Sequence, residues 1–139
     1  MTKLNWLKTA AVVFVLCVAA IASPAQTFKT LLSFDGADGF GPQTTLVQAT
    51  DGNLYGTTFY GGANRCASNG SPVGCGTIFR ITPGGTLTTI YSFCSQTDCA
   101  DGEYPNGLIQ ATDGNFYGTT FVGGTGGSGT VFRITASGR

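Results

Sequence analysis

Four aspartates have the residue type and spacing most capable of chemistry, and they occur in two copies of one pattern. Asp35 and Asp38 lie in DGADGFGP, and Asp98 and Asp101 lie in DCADGEYP, so both segments read D-x-x-D-G-x-x-P. Carboxylates in a glycine-rich loop can supply oxygen ligands to calcium. The three-residue spacing favours the alternative that these residues build turns, because calcium loops place their oxygens at alternate residues. The four aspartates are therefore weak candidates for ligand binding, and we expect no resident cofactor or metal.

The other acidic residues give little support to a catalytic mechanism. Glu103 is the only glutamate, and the chain contains no histidine, which is the commonest general base and metal ligand. A glycosidase usually needs two carboxyl groups at a fixed separation, and only Glu103 with Asp101 is a conceivable pair. Asp51 and Asp113 belong to predicted tight turns. We predict no catalytic residue.

The elements that would position these acids come from an internal repeat. Three segments recur: QATDGNLYGTTFYGG (48–62) as QATDGNFYGTTFVGG (110–124), GTIFRIT (76–82) as GTVFRIT (129–135), and TLLSF (30–34) as TIYSF (89–93). They are rich in threonine, aromatic and β-branched residues, which favour strands, whereas the spacers between them differ in length. We predict two tandem β-repeats within residues 26–139, at about 30–93 and 94–139. An N-terminal strand at 27–34 matches the last strand of a repeat.

The repeat unit predicts an antiparallel sheet of four strands, of which the second copy supplies the first three. The predicted strands are 46–50, 54–60, 77–82 and 87–93 in the first copy, and 108–112, 116–122 and 130–135 in the second. TDGN and TPGGT mark tight turns, so the longer, variable loops fall together on the opposite rim. Repeated sheets of this kind are typical of β-propeller blades, and a small sandwich or barrel is the alternative. The predicted fold is all-β, with about two propeller-like blades in an incomplete ring.

Aromatic residues alternate along one predicted strand in each copy. They are Tyr55 and Phe59 in the first copy, and Tyr117 and Phe121 in the second. Such rings could stack on sugars, but they more often fill the space between neighbouring sheets. We predict that they pack in the core.

Four cysteines flank two of the variable loops. Cys66 and Cys75 enclose one loop, and Cys94 and Cys99 enclose another. Four cysteines permit three connectivities, and the local pairs are favoured because each pair lies in a segment that is longer than its counterpart in the other copy. Zinc is the alternative, but structural zinc usually takes more closely spaced cysteines. We predict the disulfides Cys66–Cys75 and Cys94–Cys99, which an oxidising compartment would permit, and no metal.

The N-terminus has the pattern of an export signal. Two lysines precede an apolar run of 14 residues at 9–22, and Ser23 and Ala25 then supply the small residues of a cleavage site. The run is short for a membrane span, which needs about 20 residues, although an uncleaved anchor is the alternative. We predict a helical signal peptide at residues 1–25 and no membrane span after its removal. The protein would then be secreted, periplasmic or attached to the cell surface.

The repeat motifs carry a family resemblance. LIQATDGNFYGTTFVGG with GTVFRIT, and TPGGTLTTIYSF after the first copy, resemble the GloVer-type tandem repeats of choice-of-anchor proteins. The resemblance implies an exported bacterial surface protein without an assigned activity, and members of this family usually carry many repeats. This chain has about two, which leaves two interpretations. It is a truncated copy of a longer protein, or several chains assemble and each lends its first strand to a neighbour's last sheet.

Composition and motifs together favour two functions. Charged residues make up 10% of the chain and the formal net charge is zero, so we expect no nucleic-acid partner. The favoured function is an exported, non-enzymatic repeat module with a binding or structural role, whose partners would be a glycan, a protein surface or a second copy. The alternative is an extracellular carbohydrate-active enzyme that uses the loop carboxylates.

Overall fold

The fold consists of two antiparallel β-sheets and a two-stranded ladder in a loop. The structure is a computed structural model that describes residues 26–68 and 71–139. Its strands, in chain order, are β1 (Val47–Gln48), β2 (Leu54–Thr58), β3 (Ala67–Ser68), β4 (Ser71–Pro72), β5 (Thr77–Ile81), β6 (Leu87–Ser92), β7 (Glu103–Gln110), β8 (Phe116–Val122) and β9 (Val131–Ile134). Within these ranges the only helix is a 3-10 turn at Thr97–Cys99. The predicted all-β antiparallel fold is confirmed, and the predicted signal helix at 1–25 lies outside the described residues.

The two sheets share strand order and register. The first sheet has the order β1–β2–β5–β6 and the second has the order β7–β8–β9, while β3 and β4 pair only with each other. Leu54 lies opposite Ile81 in the first sheet, and Phe116 lies opposite Ile134 at the equivalent place in the second. The two sheets do not form a closed ring.

Strand β7 is longer than the sequence predicts. It begins at Glu103 rather than at residue 108, because Glu103 pairs with Val122 of β8 and an irregularity between Pro105 and Gly107 keeps the strand in the ladder. A bulge of this kind inserts an extra residue and bends the strand without ending it. The longer strand brings the chain directly from the variable rim into the second sheet.

The predicted strand at residues 27–34 is absent. A strand needs a neighbour whose N–H and C=O groups pair with its own, and none of the described strands pairs with this segment. Residues 26–30 are exposed and form no regular element. Residues 31–34 pack on the first sheet, where the ring centroids of Phe34 and Phe79 are 5.1 Å apart.

The second sheet has, in the described residues, the three strands that the sequence predicts for the second copy. The turn that follows β9 is also formed, because the N–H of Thr135 donates to the carbonyl of Arg139 at 2.8 Å. In the first sheet the N–H of Thr82 donates to the carbonyl of Thr86 at 3.0 Å, and β6 follows this turn. The two sheets therefore match up to the point at which a fourth strand would start.

The sheets stack face to face on aromatic rings. Tyr55 of β2 lies 4.3 Å from Phe116 of β8 between ring centroids, and Phe93 lies 5.1 Å from Phe132 of β9. Tyr55, Phe93 and Phe116 are each 1% exposed. Full burial of one large apolar side chain stabilises a fold by about 1.5–3 kcal/mol. Because these buried rings come from both sheets, the hydrophobic core lies between the sheets and holds them together.

The predicted core role of the strand aromatics holds for one copy and not for the other. Tyr55 is buried and Phe59 stacks on Tyr104 with ring centroids 5.1 Å apart. In the second copy Tyr117 is half-buried and Phe121 is 63% exposed. The reason is that the second sheet covers the first, whereas no described element covers the outer face of the second.

Two disulfides close the variable loops with the predicted connectivity. Cys66 bonds Cys75 across a separation of 9 residues, and Cys94 bonds Cys99 across a separation of 5.

Among the described residues, no helix is sufficiently long and apolar to cross a membrane.

Removal of the first disulfide should measurably destabilise the fold. We expect the double substitution Cys66→Ser with Cys75→Ser to lower the free energy of unfolding by about 2–3 kcal/mol, because the unfolded chain regains the entropy of an open loop. Urea denaturation checks this value. The matched variant lacking Cys94 and Cys99 opens a shorter loop and should lose about 2 kcal/mol. An unchanged midpoint in the first variant would contradict the prediction.

Candidate functional site

The candidate site is the variable rim, which comprises loops 35–42, 61–76, 94–102 and 123–130. These loops meet at one end of the two sheets because their strands are antiparallel. Asp35 and Asp38 lie in the first loop, and Asp98 and Asp101 lie in the third. The structure brings Asp35 and Asp38 together in one hydrogen-bonded turn, while Asp98 and Asp101 share a loop.

The first pair forms a reciprocal turn. Oδ1 of Asp35 accepts hydrogen bonds from the N–H of Ala37 at 2.9 Å and from the N–H of Asp38 at 3.2 Å. Oδ1 of Asp38 accepts one from the N–H of Asp35 at 3.1 Å. The backbone donors of Asp38 and Ala37 lower the pKa of Asp35. These oxygens are used by backbone donors, which is the arrangement expected of turn-building aspartates.

Asp101 organises the loop between β6 and β7. Its Oδ2 accepts hydrogen bonds from the hydroxyl of Tyr91 at 2.7 Å, from the N–H of Ser95 at 2.9 Å and from the hydroxyl of Ser95 at 3.0 Å. Its Oδ1 accepts one from the N–H of Gln96 at 3.2 Å. Burial acts to raise the pKa of Asp101, but the donors of Ser95, Tyr91 and Gln96 outweigh it and the pKa is lowered. Asp98, in contrast, is exposed and has a positive φ of 54° in the 3-10 turn.

These hydrogen bonds make the stability of the fold depend on the charge of Asp101. Because its pKa is lowered in the folded state, the stabilisation is present above the ordinary value of 3.8 and is lost as the pH falls through the folded-state pKa. At neutral pH we expect Asp101→Asn to lower the free energy of unfolding by about 1 kcal/mol, a value reduced by solvent screening. Urea denaturation from neutral to acid pH should show the two curves converging below about pH 4. A difference that is independent of pH would contradict this account.

Backbone carbonyls of the same loops are tied to two threonines. The hydroxyl of Thr77 donates to the carbonyl of Asp38 at 3.1 Å, and the hydroxyl of Thr130 donates to the carbonyl of Asp101 at 3.5 Å. Thr77 is completely buried. These threonines are not among the site residues predicted from the sequence, although each follows a glycine at the start of GTIFRIT or GTVFRIT and so recurs in both copies.

The predicted tight turns at the opposite rim are built by the remaining two aspartates. Asp51 accepts hydrogen bonds from the N–H of Asn53 at 3.0 Å and from the hydroxyl of Tyr55 at 2.8 Å. Asp113 accepts the equivalent bonds from Asn115 at 3.0 Å and from Tyr117 at 2.8 Å. The donors of Asn53 and Asn115 are the main cause of the lowered pKa of each aspartate. The repeated letters D-G-N-x-Y therefore describe one hydrogen-bonded turn made twice.

The two disulfides lie side by side on the rim. The sulfur atoms of Cys66, Cys94 and Cys99 all lie within 4.8 Å of one another, and Cys66 is bonded to Cys75. In the described ranges no other group of three cysteine or acidic side chains converges in this way. A disulfide offers no thiolate to a metal. The two disulfides instead form a non-covalent contact between loops 61–76 and 94–102. The sequence could not predict this contact because it depends on how loops 61–76 and 94–102 pack against each other in the folded chain.

The rim contains a polar depression beside the loop that carries Asp35. It has a volume of about 410 Å³ and is lined mainly by glycine backbone, together with Asn64 and Arg65. The amide of Asn64 donates to the carbonyl of Phe93 at 2.8 Å, which fixes one wall. Arg65 is exposed. Such a depression can accept a polar ligand through hydrogen bonds with the backbone.

The acidic residues considered as site candidates lie either in hydrogen-bonded turns or at the start of a strand. Asp35, Asp38 and Asp101 accept hydrogen bonds from backbone N–H groups of their own loops, and Glu103 begins β7 opposite Val122. Carboxylates held by backbone N–H groups in this way stabilise turns. In comparisons with known proteins, no family model, no curated protein and no solved structure matches this chain.

Proposed function

We propose that the chain is a structural repeat module of an exported protein, in which each sheet serves as one blade of a propeller-like stack. The observation that carries this proposal is the use of the repeated residues. Asp38 with Thr77 and Asp101 with Thr130 make the same contact in the two copies. Residues repeated to build blades need no reactive group, whereas an enzyme needs one specialised site.

The N-terminal sequence and the disulfides support export. Residues 9–22 are apolar and are followed by small residues, as in a cleaved signal peptide. Two disulfides in a small domain are typical of the periplasm, the cell surface or the medium. The GloVer-type resemblance of the repeat motifs agrees with a bacterial surface protein.

Expression in a bacterium with two membranes tests export: we expect the chain outside the cytoplasm with Gln26 as its first residue.

The same export experiment has a clear contrary result. A chain that stays in the cytoplasm with residues 1–25 attached and with free thiols would overturn the exported part of the proposal. Mass spectrometry of the intact chain distinguishes the two results. It measures both the loss of the N-terminal segment and the mass change on reduction of each disulfide.

Binding of a glycan at the rim is a second candidate, favoured by the polar depression next to Arg65. Incubation of the chain with a panel of polysaccharides separates the three functions. We expect no release of new chain ends by a structural module or by a binding module. Retention on one polysaccharide that is weakened by Arg65→Ala favours the binding module. Turnover that disappears in the Asp101→Asn variant would favour the carbohydrate-active enzyme and contradict the proposal.

A further inference from the structure

The outer face of the second sheet repeats the face of the first sheet that is buried. Ile78 of β5 is 1% exposed, whereas Val131, at the equivalent position of β9, is 80% exposed. Val47 is half-buried, whereas its equivalent Ile109 is 64% exposed. The residue types match because the strands repeat, and the burial differs because the second sheet covers only the first. In the described part of the chain, an apolar face of the kind that is buried in the first sheet is therefore left uncovered.

This open face forms a shallow groove rather than a plane. The groove has a volume of about 430 Å³, and its walls include Leu108, Ile109, Tyr117 and Val131. Exposed apolar patches of this kind mark interaction sites in soluble proteins. In the first sheet the equivalent residues Val47, Tyr55 and Ile78 belong to the stacked core or pack against it. The natural occupant is thus another sheet of the same kind.

The outer edge of β9 is open as well. In the first sheet β5 pairs with β6 on this side, but in the described residues β9 pairs only with β8. An open edge presents unpaired N–H and C=O groups that can add a further strand. Within residues 26–68 and 71–139, the second sheet therefore has neither a fourth strand nor a covering sheet.

The same chain carries a segment in the complementary situation. Residues 31–34 lie against the first sheet in the way that β6 and Phe93 lie against the second. The ring centroids of Phe34 and Phe79 are 5.1 Å apart and the ring planes meet at 69°. The ring centroids of Phe93 and Phe132 are also 5.1 Å apart, and their planes meet at 63°. The segment thus takes the place of the last strand of a preceding sheet.

A second contact gives the same correspondence. A Cβ atom built on Gly85 would lie 2.8 Å from the carbonyl oxygen of Leu31, and one built on Gly138 would lie 2.7 Å from that of Ile90. Gly85 and Gly138 occupy equivalent turns, after β5 and after β9. Two independent contacts therefore place residues 31–34 where a fourth strand belongs, although no described strand pairs with them.

We propose that copies of this chain associate head to tail, with residues 29–34 of one copy pairing along β9 of the next. This proposal rests on the proposed role as a structural repeat module and names its partner. Within one chain, β6 pairs with β5 and leads through loop 94–102 to the sheet that covers the first. A donated segment would lead through loop 35–42 to the donor's first sheet, which would cover the face around Val131. One geometrical step thus fills the open edge and the open face together.

The number of copies follows from the number of sheets. The described residues of one chain supply two stacked sheets, and closed propellers usually contain about 4–8 blades. A head-to-tail interface forms a ring when its rotation closes. We therefore expect closed assemblies of about two to four copies.

The test measures the oligomeric state of the full chain, produced in an oxidising compartment, by sedimentation over a range of concentrations. We expect a closed assembly that dissociates on dilution. Val131→Arg should weaken association at least about 30-fold, because it places a charge in the apolar interface. The side chain of Val131 is 80% exposed, so the single chain should tolerate this change. Ala63→Arg adds the same charge on the exposed loop after β2, where the backbone N–H bonds Ser92 of the same chain at 3.3 Å, and should leave association unchanged.

Hydrogen exchange supplies a second readout. The amides of residues 31–34 should be protected in the assembly and should exchange rapidly in the Val131→Arg variant, while the amides of β2 and β5 stay protected in both. A wild-type chain that remains a folded monomer at about 100 μM would overturn the proposal. An assembly that Val131→Arg leaves intact, or one in which residues 31–34 exchange rapidly, would overturn it too. The polysaccharide and export tests of the proposed function have separate outcomes.

Discussion

Substitution of Gly123 by alanine should lower the free energy of unfolding by at least about 3 kcal/mol. Gly123 has a φ of +80°, a conformation in which a Cβ atom is strained. A Cβ atom would also lie 2.7 Å from Cα of Gly102 and 2.9 Å from the carbonyl oxygen of Cys99. Both neighbours are backbone atoms of the loop that carries Asp101, so they cannot move without displacing that loop.

Gly114 provides a matched control for this substitution. It has the same φ of +80°, but no atom lies within 4 Å of the position that its Cβ would take. We expect Gly114→Ala to lose only about 1 kcal/mol, the effect of backbone conformation alone. Thermal and urea denaturation of the two variants give the comparison. Equal losses would mean that the rim loop does not approach β8 as closely as the structure has it.

Truncation of Phe116 should have the other large effect. We expect Phe116→Ala to lower the free energy of unfolding by about 3–5 kcal/mol, since the ring is 1% exposed and stacks on Tyr55 across the two sheets. Urea denaturation of a dilute solution checks this value.

Phe121 is the control for this second prediction because it lies on the same strand and faces the opposite way. It is 63% exposed, and we expect Phe121→Ala to lose less than about 1 kcal/mol. The difference between the two variants measures how completely the second sheet covers the first. Equal losses would contradict the assignment of the inner and outer faces of β8.

The sequence predicts those parts of the fold that depend on local signals. The predicted strand 116–122 coincides with β8, and 77–82 exceeds β5 by one residue. Alternating side chains, and turns such as TDGN, mark these strands without reference to the rest of the chain. The early start of β7 could not be predicted, since it depends on pairing between Glu103 and Val122 and on the irregularity between Pro105 and Gly107.

The candidate site likewise has some features that local sequence predicts and others that depend on tertiary packing. The pairing of Cys66 with Cys75 follows from loop lengths, and the turn-building role of Asp35 follows from its glycine-rich surroundings. The contact between the two disulfides and the bond from Tyr91 to Asp101 join residues through tertiary packing. Residues 27–34 show the limit most clearly, because a segment with the pattern of a strand forms one only beside a free edge. The ligand-binding role of the aspartates stays a prediction.

The stacking of the two sheets is the central claim, and nuclear Overhauser effects between aromatic side chains test it most directly. The structure predicts strong cross-peaks between the rings of Tyr55 and Phe116, whose centroids are 4.3 Å apart, and between those of Phe93 and Phe132, at 5.1 Å. A folded chain without these cross-peaks, in which Tyr55 is instead as accessible to solvent as Phe121, would contradict the account.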